Sequence, residues 1–276
     1  MYFLSDIKKI LTNKVIIIVS AVLLLMMVLD PISIYWTAGQ YPDFFQSIGS
    51  NPFQFWLLMN SAGWGFAVFN VIFWSLPMLI VACIYFYERK SSVATYLMIR
   101  KSKTSYYISK VISVFTVTFL LFAILLLLNV LITYSIFPNQ NSFSEQYKFY
   151  IPSEGTFAHQ VYSISPFLMA VAYCLINAFV LAIIGVFYLA VQILLNFKNQ
   201  YIAILLPIII VYGLIFLFDS FTPLYHFNLS LFIQPMAASS LNEPITLNNI
   251  LFTFGIWIFV DIMILIVGMI KNRDVL

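Results

Sequence analysis

The chain has 276 residues, of which 63% are apolar and 8% charged, and its formal net charge is +3. Ordinary soluble domains carry roughly 25% charged residues, so this composition excludes a water-soluble fold and argues against a nucleic-acid partner. Nearly all of the length lies in long apolar runs with short connectors, which leaves no room for a separate soluble domain and predicts a single membrane domain over residues 1–276.

Crossing a hydrocarbon core of about 30 Å takes roughly 20 mostly apolar residues. Six stretches meet that requirement, at residues 10–29, 66–87, 111–137, 167–195, 201–218 and 250–270. The predicted fold is an all-α integral membrane protein of six transmembrane helices. Ahead of span 1, Ser5, Asp6, Lys8, Lys9, Thr12 and Asn13 interleave with Phe3, Leu4, Ile7, Ile10 and Leu11. That pattern predicts a short amphipathic elbow helix at the membrane surface. The basic start and apolar run of span 1 also resemble a signal peptide, but no Ala-x-Ala-like site follows, since the chain continues Asp30-Pro31-Ile32-Ser33. A retained span is expected.

From residue 53 to residue 87 the chain stays apolar, too long for one crossing at about 1.5 Å per residue. The break is expected at Gly63-Trp64-Gly65, leaving residues 53–62 half-inserted or surface-lying, with Trp56 and Trp64 at headgroup level. Residues 221–236, interrupted by Pro223 and Pro235, also read as interfacial. For both regions two readings stand: a lipid-contacting loop, or an element that gates substrate exit. Pro77 in span 2 and Pro207 in span 5 each remove a backbone hydrogen bond and bend their helix.

Lys and Arg gather in cytoplasmic loops, and here Lys8, Lys9 and Lys14 precede span 1. Arg89, Lys90, Arg100, Lys101, Lys103 and Lys110 lie between spans 2 and 3, Lys198 between spans 4 and 5, and Lys271 and Arg273 after span 6. Twelve of the thirteen basic residues thus fall on one side, with Lys148 as the exception. Asp30, Asp43, Glu145, Glu154 and Glu243 are assigned to the other side. Both termini are therefore expected in the cytoplasm. Ten Lys against three Arg, with abundant Ile, Asn, Tyr and Phe, points to an AT-rich Gram-positive bacterium and so to a bacterial cell membrane.

Catalytic patterns are missing: the sequence holds no His-Glu-x-x-His, no Gly-x-Ser-x-Gly and no Gly-rich phosphate loop ending in Lys-Ser/Thr. Cys83 and Cys174 fall inside predicted spans without metal-ligand spacing and read as packing residues. His159 and His226, assigned to outer loops, have no paired carboxylate close in sequence. Asp261 stands in the middle of span 6, where a carboxylate costs about 2.5–3.5 kcal/mol on insertion scales. It reads either as part of a translocation path or protonatable site, or as the acceptor of a structural hydrogen bond from Asn177, Asn129 or a tyrosine.

Between spans 2 and 3, a helix read from about Ser92 puts Val93, Tyr96, Leu97 and Arg100 on one mostly apolar stripe. Such a helix suits docking into a groove of a partner protein. Equally, it suits a surface loop whose basic residues hold anionic headgroups.

In its opening Glu88-Arg89, its Leu97 and its closing Ser109-Lys110, this segment resembles the first cytoplasmic loop of type-2 permeases of ATP-binding-cassette (ABC) transporters. In that family an acidic residue at the end of span 2 opens a coupling helix and a Lys begins span 3. The basic elbow, the six spans and the partly inserted outer segments fit the same family along essentially the whole chain. Ser91-Ser92 replaces the Gly-Thr that often follows the acidic-basic opening, and the Pro that commonly ends the coupling helix is absent. The resemblance implies a permease subunit that performs no chemistry and holds no cofactor itself. ATP and Mg would be bound by a separate cytoplasmic ATPase subunit. It implies pairing with a second permease copy or a related permease, an ATPase contact through Glu88, Arg89, Tyr96, Leu97 and Arg100, and a second contact around Lys8 and Lys9. Export of a hydrophobic or amphipathic cargo such as an antimicrobial peptide, lipid or drug is expected, in the manner of bacteriocin export or self-immunity. The readings weighed against it are an ion-coupled secondary transporter, a membrane-embedded enzyme and a non-transporting immunity protein.

Overall fold

The computed structural model describes residues 2–41, 52–59, 63–86, 88, 96, 98, 102–137, 151–197, 199–221, 224, 227–235 and 244–272. Among them there is helix and no strand. An N-terminal helix, α1 (Tyr2–Leu11), is followed by α2 (Lys14–Gln40) and the short α3 (Pro52–Phe55); α4 (Trp64–Phe86) and α5 (Lys103–Ile136) come next. The chain continues through α6 (Phe157–Ile164), α7 (Pro166–Leu195), α8 (Gln200–Ser220) and α9 (Leu247–Lys271). Six of these, α2, α4, α5, α7, α8 and α9, are long and apolar enough to cross a membrane.

Polar side chains set the helix starts. Asn13, Ser102, Thr156, Asn199 and Thr246 each accept a hydrogen bond from a backbone N–H in the first turn that follows, satisfying a donor the helix itself cannot pair. At its other end α7 stops on Asn196, whose φ of 52° is the left-handed turn that terminates helices.

In the bundle α7 is the central helix, packed mainly on α5 and α9 and also on α4. Every residue from 180 to 193 is buried, on all faces. Two glycines let helices approach it closely. A Cβ on Gly185 would meet Val114 and Thr118 of α5 at 3.2 and 3.3 Å, and one on Gly268 of α9 would meet the Leu194 backbone nitrogen at 3.0 Å. By contrast α8 touches the bundle along one stripe, Ala203, Pro207, Val211 and Ile215, at a spacing of four.

The first span differs from expectation. It runs from Lys14 to Gln40 and carries Asp30 and Pro31 inside the helix rather than in an outer loop. Two contacts make this tolerable. Proline deprives the carbonyl four residues earlier of its donor, and that carbonyl, on Met27, accepts instead from Asn129 Nδ2 at 2.9 Å. Asp30 is fully buried and its Oδ1 accepts from Gly65 N–H at 3.1 Å. Gly65 lies in the first turn of α4, where free N–H groups favour an anion.

Pro207 is handled like Pro31: the carbonyl it orphans, on Ala203, accepts from Gln192 Nε2 at 3.2 Å. Around Pro77, α4 tightens into a 3-10 turn at Phe73–Ser75, so Leu76 N–H reaches the Phe73 carbonyl that the proline cannot. Nearby carbonyls take hydroxyl donors, Trp74 from Tyr188 and Val71 from Tyr212. Within hydrocarbon such freed backbone groups need partners from the protein.

The chain breaks where Gly63 precedes α4, as the sequence indicates. The segment before it is not surface-lying over its described part. Phe53, Trp56, Leu57 and Leu58 are all but completely buried, so Trp56 packs inside the bundle instead of standing at headgroup level. Leu57 N–H donates to Asn129 Oδ1 at 2.9 Å, and one buried amide thus ties α2, α5 and this inserted segment together. Trp64 is partly exposed and donates to Ser33 Oγ. Of residues 221–236, Leu229–Phe232 form a 3-10 turn with Leu229 and Phe232 buried, and Trp257 Nε1 and Asn177 Nδ2 donate to the Phe227 and Ile233 carbonyls.

Candidate functional site

Two groups of polar side chains stand out from the apolar bundle. The first lies where α1, the end of α4 and the start of α5 meet. Lys110, only 1% exposed, places its Nζ 2.6 Å from Asp6 Oδ1 and 2.8 Å from Glu88 Oε2. Lys9 Nζ sits 2.6 Å from Glu88 Oε1, Tyr106 donates its hydroxyl to Glu88 Oε2 at 3.0 Å, and the Tyr106 ring lies beneath the Lys110 ammonium, 5.1 Å from its centre.

Helix geometry brings these groups together. On α1, Asp6 and Lys9 are three residues apart and share a face, and on α5, Tyr106 and Lys110 are four apart. Two carboxylates and two ammonium groups leave the cluster neutral, and Tyr106 fills a further lone pair. Burial alone would raise the Glu88 carboxyl, but Lys110 and then Lys9 outweigh it and hold it below its ordinary value. A buried charge is sustained only by such pairing.

Close by, Asn272 closes the same end of the bundle. Its Nδ2 donates to the Ile193 carbonyl at 2.6 Å, its Oδ1 accepts from Asn196, and its own carbonyl accepts from Lys103 Nζ at 3.5 Å. The ends of α5, α7 and α9 are thereby fastened beside the ion cluster.

The second group is a cavity of about 320 Å³ between α5, α7 and α9, with Asp261 in its lining. Asp261 is 3% exposed, and its Oδ1 has no hydrogen-bond partner. The structural bond foreseen for it from Asn177 or Asn129 is not made. Asn177 donates to the Tyr173 and Ile233 carbonyls, and Asn129 is spent on Met27 and Leu57.

Of the coupling residues named from the sequence, Glu88 is buried and committed to Lys9, Lys110 and Tyr106, whereas Tyr96 is 77% exposed. Arg89, Leu97 and Arg100 lie outside the described residues. Lys8 is exposed on α1, and Lys9 reaches inward to Glu88. Sequence reasoning missed Asp6 and Tyr106 as cluster members. The available signal was Asp6, the one acid on a basic amphipathic helix, opposite a Lys that opens an apolar span.

His159 lies in α6 rather than a loop, its Nδ1 2.9 Å from the Pro152 carbonyl; His226 lies outside the described residues. Cys83 and Cys174 are free thiols. Among the described residues no three His, Cys, Asp or Glu side chains converge as metal ligands. The class defined so far is an all-helical protein with six helices long and apolar enough to cross a membrane. Compared with protein-family models, curated proteins and solved structures, the chain matches none.

Proposed function

We propose that this chain is the transmembrane permease subunit of an ATP-driven ABC transporter in a bacterial cell membrane, with both termini cytoplasmic and α1 as the elbow helix at the membrane surface. In this reading ATP and Mg belong to a separate cytoplasmic ATPase subunit. Two copies, or this chain and a related permease, form the path, and the cargo is a hydrophobic or amphipathic molecule such as an antimicrobial peptide, lipid or drug, moved outward.

The observation that carries the reading is the cluster Asp6–Lys110–Glu88–Lys9, in which all but Lys9 are buried. Glu88 and Lys110 bracket the segment that carries Tyr96, so a push on that segment reaches α4 through Glu88 and α5 through Lys110. Both are fastened to α1, which makes the three elements one mechanical unit. Glu88 then works as the anchor of the loop, while the exposed Tyr96, with Arg89, Leu97 and Arg100, supplies the ATPase contact.

A second reading, an ion-coupled secondary transporter, draws on the unpartnered Asp261 carboxyl. Purification of the tagged chain from its native host in mild detergent discriminates between the two. A stoichiometric ATPase that is retained by the wild type and lost from a Tyr96→Asp, Leu97→Asp variant supports the permease. A chain that purifies alone supports the secondary transporter or a non-transporting immunity protein.

A further inference from the structure

The cavity between α5, α7 and α9 is a groove that opens on the outer surface of the bundle. Phe179, Ile183 and Val186 of α7 form its floor, and the exposed side chains of Ile112, Ile258 and Ile262 flank its mouth. No polar atom of the lining is accessible, so Asp261 offers no oxygen to a ligand there. Apolar cavities stay dry, and the groove accepts only hydrocarbon. Its shape narrows the choice further. The lining runs from Phe179 to Val186 on α7 and from Ile258 to Leu265 on α9, seven residues in each case and so about 10 Å along the helix axis. A volume of about 320 Å³ over that length leaves a cross-section of about 30 Å². An α-helix, roughly 10 Å across with its side chains, cannot enter, which excludes a span of a second copy. A single hydrocarbon chain can.

We infer that this groove is a lipid site that holds one acyl chain of a membrane phospholipid. The groove follows the helix axes, which is the direction of acyl chains in a bilayer, and its length is about two-thirds of the ~15 Å that one leaflet contributes to the hydrocarbon core. Val111, at one end of the lining, directly follows Lys110, so the chain belongs to the leaflet on the side of the ion cluster. Towards that end Lys103 Nζ crosses from α5 to the Asn272 carbonyl at the end of α9, at 3.5 Å. Entry is therefore sideways from the lipid, past Ile112, Ile258 and Ile262. Lipid tails are as apolar as leucine, so no hydrophobic driving force separates groove from bilayer. The chain is held instead by dispersion contacts with walls on three sides, among them Phe115 and Phe179, and the bilayer supplies it by mass action.

The exposed face of α8 supplies the comparison, since Ile209 lies nine residues into α8 as Ile262 lies nine from the end of α9. The full-length chain would be placed in nanodiscs doped with a phosphatidylcholine that carries a diazirine midway along one acyl chain. After irradiation, adducts are mapped by peptide mass spectrometry and counted on apolar residues. Adducts at Ile112, Phe115 and Ile262 are expected to exceed those at Leu205 and Ile209 on the order of tenfold. That excess should fall to the α8 level in Ile183→Trp, which fills the groove from its floor, and in Val111→Phe, which narrows it from a half-buried position. A thermal midpoint near that of the wild type shows which variant is folded, and the wild-type contrast needs neither. Adducts spread evenly over both surfaces would mean lipid contact without a site and overturn the inference, as would an excess that survives in a folded variant. The assay contains no ATPase, so its outcome is independent of the permease reading; only the name of the leaflet, cytoplasmic, rests on that reading.

Discussion

Lys110 and Glu88 face each other across 2.8 Å at the junction of α4 and α5, and Asp6 of α1 approaches the same ammonium to 2.6 Å. One lysine therefore holds three elements. Removing one partner of a buried ion pair costs about 3–5 kcal/mol, because the remaining charge is left uncompensated. Lys110→Met leaves the buried Asp6 and Glu88 carboxylates without their shared ammonium and is expected to lower the stability by an amount in that range, read as a fall in the thermal midpoint. Lys9, whose side chain is 47% exposed, is screened by solvent, and Lys9→Ala is expected to cost about 0–1 kcal/mol. A thermal-shift comparison in detergent checks the contrast. Similar losses for both variants would contradict the assignment of Lys110 as the hub.

The same cluster predicts a pH dependence. Glu88 titrates in the folded protein below its ordinary value of 4.5, so the unfolded chain takes up that proton first as the solution is acidified. The stability contributed by Glu88 is fully present above about pH 4.5 and is lost as pH falls through the folded value. The gap in thermal midpoint between wild type and Glu88→Gln is expected to be wide at pH 7 and to close below pH 4.5. A gap that stays constant across that window would place Glu88 outside the ion cluster.

At the α2–α4 contact, an alanine Cβ at position 65 would collide with the Asp30 carboxyl. Gly65→Ala is expected to destabilise the protein, and shortening the opposing side chain should relieve part of the clash, the Cβ of residue 30 still standing 2.8 Å away. The cost of Gly65→Ala should therefore be smaller in an Asp30→Ala background, a negative coupling measurable by a double-mutant cycle. Additive effects would mean that the two positions do not meet.

Gln192 and Pro207 predict a second coupling. The Gln192 amide serves the carbonyl that the proline orphans, and hydrogen bonds between membrane helices average about 0.6 kcal/mol with a maximum near 1.7. Gln192→Met is expected to cost an amount of that order in the wild type. In Pro207→Ala, where the helix supplies its own N–H, the cost should shrink. An undiminished cost in Pro207→Ala would show that Gln192 acts through packing.

The six spans were legible because hydrocarbon-length apolar runs have few alternative readings, and the break at Gly63 was legible because glycine and tryptophan mark it locally. What was not legible depends on partners distant in sequence. Asp30-Pro31 reads as the end of a span on its own terms, and becomes the interior of one because Gly65 N–H and Asn129 Nδ2 satisfy what acid and proline leave unsatisfied. Likewise Trp56 carries the composition of an interfacial residue and is buried by the bundle around it. Glu88 and Lys110 were visible as the two ends of a loop, but their meeting on α1, through Lys9 and Asp6 respectively, required the α1 docking that only three dimensions provide. The missing partner of Asp261 was equally hidden, since the sequence offers amides in the spans at Asn129 and Asn177 and the fold commits both to backbone carbonyls.

The central claim is that the segment anchored by Glu88 and Lys110 docks on an ATPase through Tyr96. Its most direct test is photo-crosslinking in the native host from a benzoylphenylalanine placed at Tyr96, with an exposed residue on the opposite end of α2, Trp36, as control. The account predicts a protein adduct from position 96 that mass spectrometry identifies as an ABC ATPase, with none from position 36. Crosslinks from position 96 to lipid alone, or to the same proteins as position 36, would contradict it.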